Sequence, residues 1–158
     1  MDNEPLVRKG FQTRGCIAVI ECYQEIPCDL CELVCHKGAI KIGTPLTQVP
    51  SFNVEKCSGC GLCVVACPGL AIFLINPNYT EKEALVSFPY EYLPTPKVGS
   101  EVDVVNRLGT VVGKGRILEV REAKNFDATR LVTVAVPKKL VQEVRGLIKP
   151  KGDVNPEK

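Results

Sequence analysis

The run Cys57-Ser-Gly-Cys60-Gly-Leu-Cys63-Val-Val-Ala-Cys67-Pro68 is where this chain can do chemistry. Three thiols at three-residue intervals, on a tight loop, converge on one cubane iron–sulfur cluster. The fourth, Cys67, starts a short helical turn and points away from that cluster. In the spacing C-x2-C-x2-C-x3-C-P the fourth thiolate ligates a neighbouring cluster. The run therefore predicts a second cluster as well as a first, and points to electron transfer.

The second site is visible as an internal repeat. A shift of 32 residues lays Cys28, Cys31 and Cys35 onto Cys60, Cys63 and Cys67, Leu30 onto Leu62, and Ala39-Ile40 onto Ala71-Ile72. A fixed offset means two copies of one supersecondary unit, each too small to bury its own core. The position matching Cys57 is Glu25, and the nearest thiol, Cys22, stands three residues early. The first copy thus reads Cys22-x5-Cys28-x2-Cys31-x3-Cys35, with Pro27 stiffening the enlarged loop.

On these motifs residues 16–76 resemble a bacterial two-[4Fe–4S] ferredoxin. The second copy matches the family pattern in full, and the first departs from it at the loop after Cys22 and at His36, where the pattern has proline. The crossing of the fourth ligand implies one [4Fe–4S] cluster on Cys22, Cys28, Cys31 and Cys67, and another on Cys57, Cys60, Cys63 and Cys35. The alternative for Cys22 is a buried strand cysteine, which leaves a [3Fe–4S] centre or a Glu25 carboxylate ligand; thiolate suits these irons better. His36, the only histidine, reads as a partly exposed residue beginning a turn, where it would alter the hydrogen bonding around a cluster.

Composition fits a small redox subunit. All nine cysteines of this 158-residue chain lie between Cys16 and Cys67. Met1-Asp-Asn-Glu-Pro5 is polar and acidic, so neither a signal peptide nor a secreted disulfide framework is expected, and the location expected is cytoplasmic. No apolar run has the length of a transmembrane segment. Zinc ribbons need two C-x2-C pairs with a long spacer, unlike the cysteine series here. Each oxidised cluster with its thiolates carries a charge of about −2, which takes the formal +2 of the chain to about −2. With scattered basic residues, 6% aromatics and no tryptophan, no nucleic-acid partner is expected.

The rest of the chain must position these cysteines or dock them. Residues 1–15 read as an N-terminal arm and Cys16 to Glu21 as a buried strand, with Cys16 the odd, packing thiol. Gly43 to Pro50 links the copies, Ser51 to Val54 and Ala71 to Ile75 complete a small β framework, and Asn76-Pro-Asn78 marks a turn. Beyond it, Ala84 to Tyr90, Glu101 to Asn106, Thr110 to Arg121 and Arg130 to Val136 read as antiparallel strands, with a hairpin turn at Asn106 to Gly109 and a bulge or bend near Gly113 and Gly115. Pro137 opens an expected short amphipathic helix over Lys138 to Leu147. Residues 77–158 hold no histidine, cysteine or paired-acid cluster, so 77–148 read as a β-rich docking domain and 149–158 as a flexible tail. The fold class expected is α+β: a ferredoxin-like dicluster module with a C-terminal small antiparallel β domain.

A second resemblance rests on Ile20-Glu-Cys-Tyr-Gln-Glu-Ile-Pro-Cys28-x2-Cys31 and Pro89-Tyr-Glu-Tyr-Leu-Pro94. It is to the small iron–sulfur subunits of flavin-dependent amino-acid or amine dehydrogenase complexes, related to hydrogen cyanide synthase, opine oxidase and dye-linked proline dehydrogenase. It implies a chain that is not catalytic alone and carries electrons from FAD- or FMN-containing partner subunits to an acceptor. The other readings are a free soluble ferredoxin and a zinc-stabilised interaction module. Brown colour excludes the zinc module, and co-purification with flavin-containing chains separates the first two.

Overall fold

The computed structural model describes residues 15–150. Of the arm expected over 1–15 and the tail over 149–158, all but residues 15, 149 and 150 lie outside that range. The first repeat copy supplies β1 (Ile17–Ile20), α1 (Leu30–Leu33) and β2 (Ile40–Lys41). The second supplies β3 (Ser51–Phe52), α2 (Leu62–Ala66) and β4 (Ile72–Asn76). The strands pair between copies. Ile20 lies opposite Ile72 and Val19 opposite Phe73, while Phe52 lies opposite Ile40 and Ser51 opposite Lys41. Moving every residue by the repeat length turns one set of pairs into the other. The same shift relates two further backbone bonds, Glu21 N–H to Ala71 C=O (2.7 Å) and Asn53 N–H to Ala39 C=O (2.8 Å). Each copy thus lends its outer strand to the other, the expected outcome when neither half buries its own core.

The sheet does not stop at Asn76. β5 (Glu83–Tyr90), β6 (Glu101–Val105), β7 (Val111–Arg121), β8 (Arg130–Pro137) and β9 (Gly146–Leu147) extend it to seven strands in the order β1-β4-β5-β8-β7-β6-β9, every pair antiparallel. The protein is β-rich, with α1 and α2 each about one turn long. The four expected strands stand within a residue of their expected bounds. The Asn106 side chain accepts the N–H groups of Leu108 and Thr110 and closes the hairpin. The bulge falls beside Gly113, where Val104 faces Gly113 but Val105 faces Val111. A second irregularity lies between Ile117 and Glu119.

The helix expected over Lys138 to Leu147 is not formed. One 3-10 turn, Lys138–Leu140, is followed by β9. The chain there bonds the free edge of β6 instead: Arg145 N–H donates to Val105 C=O and Ile148 N–H to Asp103 C=O, both at 2.8 Å. Unpaired edge groups of β6 offered satisfied backbone bonds to residues whose own helical run, broken by Gly146, was too short to stand alone.

Alternation along the strands gives the sheet two covered faces. On β4, Phe73 and Ile75 enter a core with Ile17, Val86, Phe88, Val104, Ile117, Val132 and Val134. Ile72 and Leu74 enter a second core with Ala18, Cys31, Ile40, Cys63, Val64 and Leu131. Burial on both sides explains why β4 reads as an unbroken apolar run. Between β5 and β8 the buried Ser87 and Thr133 hydroxyls bond each other at 2.9 Å, so no polar group is stranded there.

Ends of the sheet distant in sequence are joined by charge. Glu21, just past β1, accepts from Arg145 Nε at 2.7 Å and from Arg107 Nε at 2.8 Å. Both guanidinium groups stack over the Phe73 ring, at 5.1 and 5.3 Å from its centroid. Burial alone would raise the Glu21 carboxyl, but the hydrogen bonds and charges of the two arginines outweigh it and hold the group below 4.5. Such a depressed carboxylate stabilises the fold above its unfolded value, and that stabilisation is lost as pH falls through the folded value. Glu21→Gln is expected to cost about 2 kcal/mol at neutral pH. Denaturant unfolding of the two proteins should show the gap closing as pH drops below 4.5.

The repeat also isolates one strained residue. Gly38 N–H donates to Cys35 C=O and Leu70 N–H to Cys67 C=O, in matching turns. Both residues have positive φ, 60° at Gly38 and 49° at Leu70. The second copy therefore places a γ-branched, exposed side chain where the first has glycine. Leu70→Gly should stabilise the protein by about 0.5–1 kcal/mol, read as a higher denaturation midpoint with iron content unchanged.

Candidate metal centre

Eight of the nine cysteines line two cavities, four to each. A cavity of about 440 Å³ is walled by Cys22, Cys28, Cys31 and Cys67, with Ile42, Ile72 and Pro68. A cavity of about 160 Å³ is walled by Cys35, Cys57, Cys60 and Cys63, with Ala18, Ile40 and Leu74. Cys35 stands with the cysteines of the second copy and Cys67 with those of the first. Cys16 lines neither; its carbonyl backs onto the loop at Gly59. Glu25 is exposed and is not part of the wall. His36 is exposed at the rim of the smaller cavity.

Local sequence explains the loop. Asn53 caps one 3-10 turn, Val54–Lys56, by accepting Glu55 N–H at 3.0 Å, and this turn delivers Cys57. Gly59 and Gly61 follow with φ of 68° and 87°, a region that glycine enters without steric cost. A Cβ on Gly59 would stand 2.1 Å from the Cys16 carbonyl oxygen. α2 then carries Cys63. The helical turn expected to start at Cys67 is not formed: Pro68 disfavours helical geometry in the residue before it, and Cys67, at the end of α2, is extended at φ −76°, ψ 109°, which turns its thiol to the other cavity.

The two sets of thiols feel one another. Burial pushes the Cys63 thiol up to about 12, and Cys57, Cys60, Cys35 and Cys31 add to the rise. Burial likewise lifts Cys31 to about 11, with Cys67 and Cys28 contributing. Crowded, desolvated thiols of this kind resist ionising alone and are ionised by binding metal, with release of protons. Two backbone amides already point at sulfur: Ala39 N–H to Cys35 Sγ at 3.2 Å and Ala71 N–H to Cys67 Sγ at 3.4 Å. They are the repeat equivalents of each other, and each donates to the sulfur that crosses over. Among the described residues no three His, Cys, Asp or Glu side chains close on a single ion position. The donor set, four thiols spread around each cavity, suits a polynuclear cluster in which each thiolate meets its own iron.

Arginines of the later strands complete the surroundings, and nothing in the spacing of the sequence marks them. Arg107 lines the larger cavity. Arg121 reaches from β7 to donate to the Cys60 carbonyl at 2.9 Å. The two alanine amides do carry a signal, since both belong to the repeated Ala-Ile pairs, but a repeat alone does not tell a sulfur donor from a packing residue.

Residues 50–73 match the 4Fe-4S binding domain family, Fer4. The chain is 36% identical over 87 residues to Protein Pixie of Drosophila melanogaster, and 32% over 87 residues to Translation initiation factor RLI1 of Saccharomyces cerevisiae; each match covers 51% of this chain and 14% of the relative. It is 43% identical over 49 residues to one component of the ion-translocating oxidoreductase complex of Methanosarcina acetivorans, covering 31% of this chain and 17% of that protein. The chain thus spans only a small part of the curated relatives it matches. No solved structure matches it. The family match supports an iron–sulfur, ferredoxin-like protein. Among the described residues no helix is long and apolar enough to cross a membrane.

Gly59→Ala should drive its Cβ into the Cys16 backbone and force the loop open. Iron and acid-labile sulfide analysis is expected to show loss of about half the iron, since the larger cavity shares no residue with this contact.

Proposed function

We propose that this chain is an electron-transfer subunit holding two [4Fe–4S] clusters, one on Cys22, Cys28, Cys31 and Cys67 and one on Cys35, Cys57, Cys60 and Cys63. It passes electrons from a partner flavoprotein amino-acid or amine dehydrogenase to an acceptor. The observation that carries the reading is the partition of eight thiols, four to a cavity, with Cys35 and Cys67 exchanged between the copies. The clusters supply one-electron chemistry when bound. The residues of the chain hold them in apolar walls, direct an amide at each crossing sulfur, and set the two sites beside each other through packed α1 and α2.

A fixed partner is favoured over free diffusion by what surrounds the larger cavity. Tyr23 and Ile26 line it together and are 76% and 43% exposed, and apolar surface gathered at the mouth of a site suits docking. The strands beyond Asn76, which hold no catalytic group, suit the same role, and the resemblance to dehydrogenase subunits supplies the class of partner. The name of the Methanosarcina relative is that of a component of an oxidoreductase complex, which agrees with a role inside an assembly.

Anaerobically purified protein is expected to hold about eight irons and eight sulfides, with EPR of the reduced form showing two interacting centres. Cys16→Ser should leave that content unchanged, whereas Cys22→Ser should lose one cluster. Four irons, or an oxidised [3Fe–4S] signal, would overturn the role of Cys22, and zinc in place of iron would return the chain to the interaction-module reading. Affinity purification of the full chain from its own cells, followed by flavin analysis, tests the partner; protein recovered alone and brown favours the free ferredoxin.

A further inference from the structure

Arg121 is placed at a cost. Its Nε is buried and has no hydrogen-bond partner. Its Nη2 donates to the Cys60 carbonyl at 2.9 Å, and its Cζ lies 5.5 Å from the centroid of the Phe126 ring. Among the described residues no carboxylate lies within ion-pair distance of it, in contrast to Arg107 and Arg145, which share Glu21. Glu119, two residues earlier on β7, is exposed; it and Arg121 act with opposite sign on the same thiol, Cys16, behind the loop. The Gly61 backbone comes so close that a Cβ there would stand 2.7 Å from Nη2.

A cation held with an unsatisfied buried donor and no anion beside it is destabilising unless negative charge lies near. One candidate is the set of thiolates on the Cys57 to Cys63 loop, whose Cys60 carbonyl Arg121 holds. With four thiolates around an oxidised cluster that site carries about −2, and one electron more on reduction. A fixed positive charge behind the loop stabilises the added electron, and the buried Nε keeps part of the guanidinium out of water.

Resting on the two-cluster reading, we propose that Arg121 is a positioning residue for the cluster held by Cys35, Cys57, Cys60 and Cys63: it ties the loop through the Cys60 carbonyl and raises the reduction potential of that cluster above that of an otherwise equal site. Strands that hold no ligand thereby set the order in which the two sites accept an electron. Lys37, at the rim of the same cavity, is exposed to solvent, so its charge is screened.

The test is a potentiometric titration of the full chain with dithionite, followed by EPR, for wild type, Arg121→Gln, Arg121→Lys and Lys37→Gln, each after iron and sulfide analysis. Arg121→Gln is expected to lower one of the two midpoint potentials and leave the other in place. Arg121→Lys should restore most of the shift, and Lys37→Gln should move neither by as much. Unchanged potentials at full iron content in Arg121→Gln, or failure of the lysine to restore the shift, overturn the proposal. If Arg121→Gln loses iron, Cys22→Ser takes its place, since it should keep only the cluster on Cys35, Cys57, Cys60 and Cys63: the potential that remains should be the higher of the two seen in wild type, and the lower one remaining overturns the proposal. Wild-type protein without two clusters would instead refute the reading on which this rests.

Discussion

Strand β4 must be buried on both faces, and the rest of the molecule follows from that. It is the last strand of the second repeat copy, and its partner β1 comes from the first. One face supplies Ile72 and Leu74, which line the larger and the smaller cavity respectively. The other supplies Phe73 and Ile75 to the valine-rich core. A repeat pair alone would leave that second face in water. At roughly 25 cal/mol per Å² of apolar surface, covering it is reason enough for the strands beyond Asn76, whatever else they do. β5 pairs with β4 directly, so the extension belongs to the framework of the cysteine sites and is more than an appendage to them.

Charge follows the same route. The carboxylate one residue before Cys22 is held by Arg107 and Arg145, and the loop of Cys57, Cys60 and Cys63 is held by Arg121. All three arginines come from the extension. The copies are matched in backbone, down to the amides that donate to Cys35 and Cys67, but their electrostatic surroundings differ. Two sites with related ligands and unlike neighbours have a physical basis for unlike potentials.

What is legible in the sequence is local. Cysteine spacing reveals the repeat and its ligand candidates, because a cluster site is built from residues a few positions apart. Valine-rich runs bounded by glycine, proline or asparagine reveal β5 to β8. The span from Lys138 to Leu147 misleads, since helical propensity there competes with the open edge of β6, and an edge is not visible in one dimension. Arg121 and Cys60 are separated by 61 residues and Arg145 and Glu21 by 124. No pattern links such pairs; only the curl of the sheet brings them together. Leu70 is legible in retrospect, as the residue aligned with Gly38.

The antiparallel pairing that sets Leu74, Ile75 and Asn76 opposite Ser87, Val86 and Leu85 runs straight across the point where the repeat ends. Some redox proteins carry their metal head on a hinge and swing it between donor and acceptor. This one has no hinge at that junction: any swing would have to tear a paired ladder and bare Phe73 and Ile75. Whatever surface the extension offers to another protein, it therefore moves as one solid with the cysteine sites. In the proposed complex, the gap an electron must cross would be set when the assembly forms, and turnover would become a matter of tunnelling through a fixed path, with no waiting for a moving arm.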